Sequence, residues 1–507
     1  MAAIRSLLAD TRPLRSAAFK RMWLAYIVTV IGAQFTVVAV PAQIYADTHS
    51  SGYVGLTGIC ALVPLIVFGL WGGALADHFD RRRLLIVTTV GIILTSAAFF
   101  VVTALNCAHV WLLLAVFAIQ QGFFAVNSPV RTAILPQIVP REILPSANAL
   151  NITVTSVGGI AGPLIGGMLI PLVGIKWLYL ADVFFLLPTL AAVIALPPLK
   201  PSALPAHRSP AASAHRSPAG GSVAGEDGTS VAGEDSTESF AVAVGETPAQ
   251  TLKQTAPEQA AGKESAKAPA PAGADERTGA ASRADAAPVP GIAAIVDGLR
   301  YLRGRTILVM SFAVDLIAMI FGSPRALFPQ ISHESFGGDP NGGLAFGLLY
   351  AAIPAGAALG GLFSGWLPKV RRQGRVVMIA IWCWGAGVLI FGASASLASG
   401  RDDAMGDICL AIAVAALAAA GAADMCSSAL RNVILLTETD DALRGRLQSI
   451  FFVVVVGGPR IADALHGSVA EFIGAPGASM VGALCVLVGI GICVLAVPRF
   501  WRYETPQ

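Results

Sequence analysis

Apolar residues gather into twelve stretches, each close to the roughly 20 residues that carry a helix across a bilayer. Six fall at about 22–46, 54–76, 84–105, 110–134, 146–174 and 177–197. Six more fall at about 306–331, 343–367, 375–399, 407–434, 447–473 and 477–497. Between the two groups runs a tract, 198–291, rich in Ala, Pro, Ser, Gly and Glu. Within it AHRSPA at 206–211 recurs at 214–219, and SVAGED at 222–227 recurs at 230–235. Such a composition buries too little apolar area to offset chain entropy, so a disordered linker is expected there. The run 292–303 is amphipathic and is expected to lie along the membrane face. The pattern predicts an all-α membrane protein, twelve transmembrane helices in two pseudo-symmetric six-helix bundles. The expected units are 1–197, the cytoplasmic linker 198–291, and 292–507.

Charge changes this picture by orienting it. Basic residues fall in alternate connectors: Arg12, Arg15, Lys20 and Arg21; Arg81, Arg82 and Arg83; Arg141; Arg300, Arg303 and Arg305; Lys369, Arg371, Arg372 and Arg375; Arg444 and Arg446; Arg499 and Arg502. The other connectors hold almost none, apart from Lys176 and Arg401. Positive residues stay in the cytoplasm, so both termini are expected inside, in a multi-pass protein of the plasma membrane. No cleaved signal peptide is expected, because the N-terminal 20 residues lack a short apolar core with a small-residue cleavage site.

Composition agrees. Hydrophobic residues make up 55% and charged residues 13%, against about 25% charged in soluble domains, and mean hydropathy is +0.70. The net charge of +3 gives no reason to expect a nucleic-acid partner. Seven cysteines form no CxxC pair, and no phosphate loop, HExxH or GxSxG motif occurs, so neither metal, cofactor nor enzymatic activity is expected.

The halves echo each other. Arg131, Ile134 and Leu135 in the fourth span match Arg431, Ile434 and Leu435 in the tenth, 300 residues on. Gly162-Pro163 in the fifth corresponds to Gly458-Pro459 in the eleventh, and Gly73 with the cluster 81–83 to Gly361 with Arg371-Arg372. A duplicated six-helix unit places a binding site between the repeats near the midplane.

Between the second and third spans the chain reads Gly72-Gly-Ala-Leu-Ala-Asp77-His-Phe-Asp80-Arg81-Arg-Arg83. This resembles the major facilitator superfamily signature G-x-x-x-D-R-x-G-R-R/K at its family position, with His78 in place of Arg and Asp80 in place of Gly. The resemblance implies a gate in which Gly73, Asp77, Arg81 and Arg82 latch the lobes, Asp77 facing the N-terminal end of the eleventh helix. The alternative is a basic topogenic loop. Gly158, Gly162, Pro163, Gly166 and Gly167 in the fifth span look like the G-x-x-x-G-P-x-x-G-G motif of that family's exporters, or else serve generic helix packing. FKRMW at 19–23, VDGLRYLRGR at 296–305, DLIAMIFGSPRALFP at 315–329, GAADM at 421–425, DALRGRLQSIFFVVVVGGPRIAD at 441–463 and FWRY at 500–503 resemble the enterobactin-exporter-like branch, whose relatives include drug efflux pumps. The resemblance covers nearly the whole chain except 198–291.

Charges within spans are costly and usually functional. Asp315, Asp424, Asp463 and His466 are candidates for proton coupling. Asp315 and Asp424 lead because no basic residue lies one turn away. Static pairing is the alternative, as for Arg460 with Asp463. Gln34, Gln120, Asn127, Arg131, Arg325 and Arg460 are candidates to line the cavity; helix–helix hydrogen bonding is the other reading of the Gln and Asn residues. The expectation is a secondary transporter, a proton-coupled exporter of a siderophore or drug-like molecule acting as a monomer. The alternatives are a nutrient importer and a membrane receptor of the same fold. Its partners would be a small-molecule substrate, protons and the lipid bilayer.

Overall fold

The computed structural model describes residues 11–196, 300–401, 403–440 and 444–504, with the backbone alone at 70–78, 141, 444–446, 448–449 and 452–453. The linker 198–291 and most of the amphipathic run 292–303 lie outside the described residues. The first six helices are α1 (Ala17–Thr48), α2 (Ser51–His78), α3 (Arg81–Ala104), α4 (Val110–Ile138), α5 (Leu144–Val173) and α6 (Ile175–Ile194). The next six are α7 (Thr306–Gly322), α8 (Leu344–Leu362), α9 (Gln373–Ala398), α10 (Ala404–Glu438), α11 (Arg444–Ile473) and α12 (Ala475–Ala496). Among the described residues, 11 helices are long and apolar enough to cross a bilayer. The twelfth, α11, matches them in length with 30 residues and carries Arg460, Asp463 and His466.

Local chemistry sets the ends. Ser16 caps α1 by accepting from the Phe19 N–H at 3.4 Å. Asp80 caps α3, accepting from Arg82 N–H at 2.8 Å and Arg83 N–H at 3.4 Å. Its departure from the family glycine therefore has a local use. Gly174 and Gly474, also 300 residues apart, sit at φ 87° and 77° between α5 and α6 and between α11 and α12. A side chain would be strained there.

The seventh span is more broken than a single helix over 306–331. After α7, Ser323 is extended, Pro324 follows, and the chain turns through Arg325–Leu327 and Phe328–Gln330 to a wide turn at Ile331–Ser335. Pro324 and Pro329 lack the N–H that would continue the ladder, and a residue before proline is pushed to extended geometry.

Helices α1 to α6 pack among themselves, as do α7 to α12, and corresponding pairs meet in each bundle: α2 with α4 and α8 with α10, α1 with α6 and α7 with α12, α3 with α4 and α9 with α10. Two pairs join the bundles, α2 with α11 and α5 with α8. They join at the end opposite the basic connectors. There Gly167 of α5 accepts from Gly343 N–H at 2.8 Å, and a Cβ on Gly167 would meet the Gly347 backbone at 2.7 Å. Phe35, Val38, Leu327, Phe328 and Phe346 form one core spanning both bundles at this end. Leu172 and Leu495, 78% and 81% exposed, face outward as lipid-facing positions do.

Candidate functional site

The C-terminal bundle concentrates charge around the broken seventh span. Arg431 of α10, 2% exposed, forms an ion pair with Asp315 of α7, 1% exposed. Its other nitrogen lies 3.9 Å from Asp424, one third exposed, and its Nε donates to Ser427 at 3.2 Å. The sequence showed no basic residue one turn from either aspartate; packing of α10 against α7 brings Arg431 to Asp315, and Asp424 stands two turns before Arg431 on α10 itself. Arg460 and Asp463 pair along α11 at 3.8 Å. Arg325 is exposed at the break, within charge–charge range of Asp424, Asp463 and Arg460. Three guanidinium groups thus face three carboxylates. Fully ionised, the cluster is neutral; one bound proton leaves it a net cation.

His466 is buried and ties α11 to the break. Its Nδ1 lies 2.7 Å from the Ser323 carbonyl and its Nε2 lies 3.0 Å from the Phe321 carbonyl. These carbonyls belong to the end of α7, where backbone acceptors run out of helical donors. Gly482 of α12 leaves room for the contact, since a Cβ there would collide with both His466 and the Phe321 carbonyl.

The closed end is held by two carboxylates of the C-terminal bundle. Glu334 accepts from Tyr45 of α1 at 2.6 Å and from Gln330 at 2.9 Å. Glu471 accepts from the Ser50 hydroxyl at 2.7 Å and the Gly52 N–H at 2.8 Å. Ser51 donates to Gln330 at 2.6 Å. Sequence reasoning missed this latch. Glu334 and Glu471 stand at span ends, where carboxylates are ordinary, and nothing local marks their partners across the gap.

The remaining candidates divide. Gln120 donates to Ser96 at 3.0 Å, and Asn127 to Thr88 and Thr89 at 2.8 and 3.2 Å, all inside the first bundle. Both follow the helix-bonding reading rather than lining a cavity. Ser96 and Thr36 donate to Asp182 at 2.7 and 2.8 Å, completing a buried network across α1, α3, α4 and α6. Gly158, Gly162 and Gly166 pack α5 on α1 against Val30, Gln34 and Val38. Gln34 therefore sits at that seam. Arg81 donates to the Ala133 carbonyl at 3.0 Å and Arg82 to the Ile194 carbonyl at 2.6 Å, anchoring helix ends in their own bundle. The side chains around Gly73 and Asp77 lie outside the described residues. Among the described residues, no cluster of His, Cys, Asp and Glu is arranged to hold a metal.

A family model, Major Facilitator Superfamily, matches residues 22–462. The chain is 26% identical to the enterobactin exporter EntS of Citrobacter koseri (strain ATCC BAA-895 / CDC 4225-83 / SGSC4696), over 96% of this chain and 94% of that protein. It is 26% identical to EntS of Escherichia coli (strain K12), over 97% and 94%. In fold it is similar to the nucleoside transporter NupG (TM-score 0.61, 12% identity, covering 96% of this chain and 100% of that one). It is similar also to a bacterial homologue of the iron transporter ferroportin (TM-score 0.58, 12% identity, 96% and 99%).

Proposed function

The chain belongs to the Major Facilitator Superfamily, and from that premise we propose that it is a proton-driven exporter of a siderophore or drug-like molecule, working as a monomer by alternating access. The observation that carries the reading is the Arg431 cluster. Asp315 is sealed against it while Asp424 is partly open, so a proton taken up at Asp424 frees guanidinium charge beside Arg325. Basic connectors face the cytoplasm, so the joined end faces out and cargo loads from the cytoplasm. In the opposite state the cluster meets the exterior, takes a proton, and the cargo leaves. Each ligand shifts the equilibrium only by its differential affinity for the two states. Export, rather than uptake, draws support from relatives named as enterobactin exporters and from the glycine motif of α5.

The test is transport in proteoliposomes with an imposed pH gradient, offering enterobactin and, separately, ethidium. The expected result is gradient-dependent accumulation in inverted vesicles, lost in both Asp315→Asn and Asp424→Asn. Full coupling in both variants sinks the proton assignment. Transport only in right-side-out vesicles makes the protein an importer. Transport unaffected by deleting 200–288 is expected; a receptor role predicts that the deletion abolishes function.

A further inference from the structure

Arg131 and Arg431 are repeat counterparts with opposite surroundings. Arg431 meets a carboxylate from the first helix of its bundle, Asp315 of α7. Arg131 meets the first helix of its own bundle, α1, and finds the Tyr26 ring, whose centroid lies 4.6 Å from the guanidinium carbon. Among the described residues no carboxylate pairs with Arg131. The Tyr26 hydroxyl is engaged elsewhere, 3.1 Å from Thr155. A guanidinium held between helices at this depth calls for a counter-charge, because an unpaired one is costly.

Beside Arg131 lies a recess lined by Phe19, Trp23, Tyr26, Leu135 and Asn151. The Trp23 indole N–H is covered and has no acceptor. The recess therefore brings together the Arg131 guanidinium, without a carboxylate partner, and Trp23, whose covered indole N–H has no acceptor, walled by aromatic rings on the half of α4 nearest the basic connectors. A carboxylate or phenolate accepts from a guanidinium and an indole N–H together, and an attached ring stacks on Phe19, Trp23 or Tyr26.

We propose that the recess at Arg131 binds an aromatic anion, the charged end of the cargo on its way between the lobes. Arg131 supplies the counter-charge, Trp23 a second donor, and the aromatic walls select a planar ring. The link to cargo rests on the transporter reading. Binding itself is an equilibrium property, measured without a gradient, so its failure and the failure of proton-driven export are separately visible.

The experiment uses the full chain in phosphatidylcholine nanodiscs and radiolabelled 1-naphthoate, with its neutral analogue 1-naphthamide as control. The parent protein is expected to bind naphthoate more tightly than naphthamide. Arg131→Gln is expected to weaken naphthoate about tenfold or more and to change naphthamide less than about twofold. Arg131→Lys, which keeps the charge but loses the planar fork, is expected to fall between, and covers the case in which Arg131→Gln fails to fold. Trp23→Phe is expected to weaken naphthoate by about threefold. Equal affinity for the two probes in the parent, or an unchanged naphthoate affinity in both Arg131 variants, overturns the proposal. So does competition by phosphatidylglycerol nanodiscs that abolishes naphthoate binding entirely, which would make a lipid phosphate the resident anion.

Discussion

Arg431 of α10 reaches across to Asp315 of α7, and both side chains are almost wholly shielded, at 2% and 1% exposure. Removing one partner of such a pair strands the other charge, which costs about 3–5 kcal/mol, whereas removing both costs far less. Asp315→Asn is therefore expected to lower the thermal midpoint in detergent markedly, and Asp315→Asn with Arg431→Gln to recover at least half the loss. A double variant no more stable than the single one shows that the pair does not set stability.

The latch opposite the basic connectors makes a second expectation. Tyr45 to Glu334 and Ser50 to Glu471 are hydrogen bonds to carboxylates, worth about 1.5–3 kcal/mol each when charged. Tyr45→Phe with Glu471→Gln should shift the population toward opening at that end by about tenfold or more. Ala470, buried in the shared core, reports it: Ala470→Cys should react faster with a membrane-impermeant maleimide in the latch variant. An unchanged rate means the latch does not hold the end closed.

His466 is the third test. Neutral imidazole carries one N–H, so replacing His466 by Phe removes the donor to one of the Ser323 and Phe321 carbonyls, at about 1–3 kcal/mol for that buried orphan. Replacing it by Gln returns an amide with two N–H groups. The expected order of thermal stability is parent, then His466→Gln, then His466→Phe. Equal stability of the two variants shows that the ring packs there without bonding.

Much of this architecture was legible. The 300-residue offset that links Arg131 to Arg431 also links the turn glycines Gly174 and Gly474, because a duplicated unit repeats its turns as well as its helices. Asp80 read as a defect in the signature, yet it caps α3, and a cap is visible only once the helix start is fixed. Gln120 and Asn127 left two readings open because an intramembrane amide bonds a neighbouring helix as readily as it faces water. The break after Gly322 was signalled by Ser323-Pro324 and by Pro329, but an uninterrupted apolar run masked it. The Asp315–Arg431 pair was illegible, since α7 and α10 are joined only by packing, whereas Asp424 precedes Arg431 by two turns on α10 itself.

A spin-label distance measurement on the chain in nanodiscs tests the two-lobed mechanism most directly, and needs no cargo. With the seven native cysteines replaced, one label pair sits at exposed Tyr53 and Phe472, across the joined end. The other sits at exposed Phe79 and Leu436, across the basic end. Between pH 8.5 and pH 5.5 the account predicts opposite changes, one pair lengthening as the other shortens. Distances that stay fixed at both ends, or that lengthen together, contradict it.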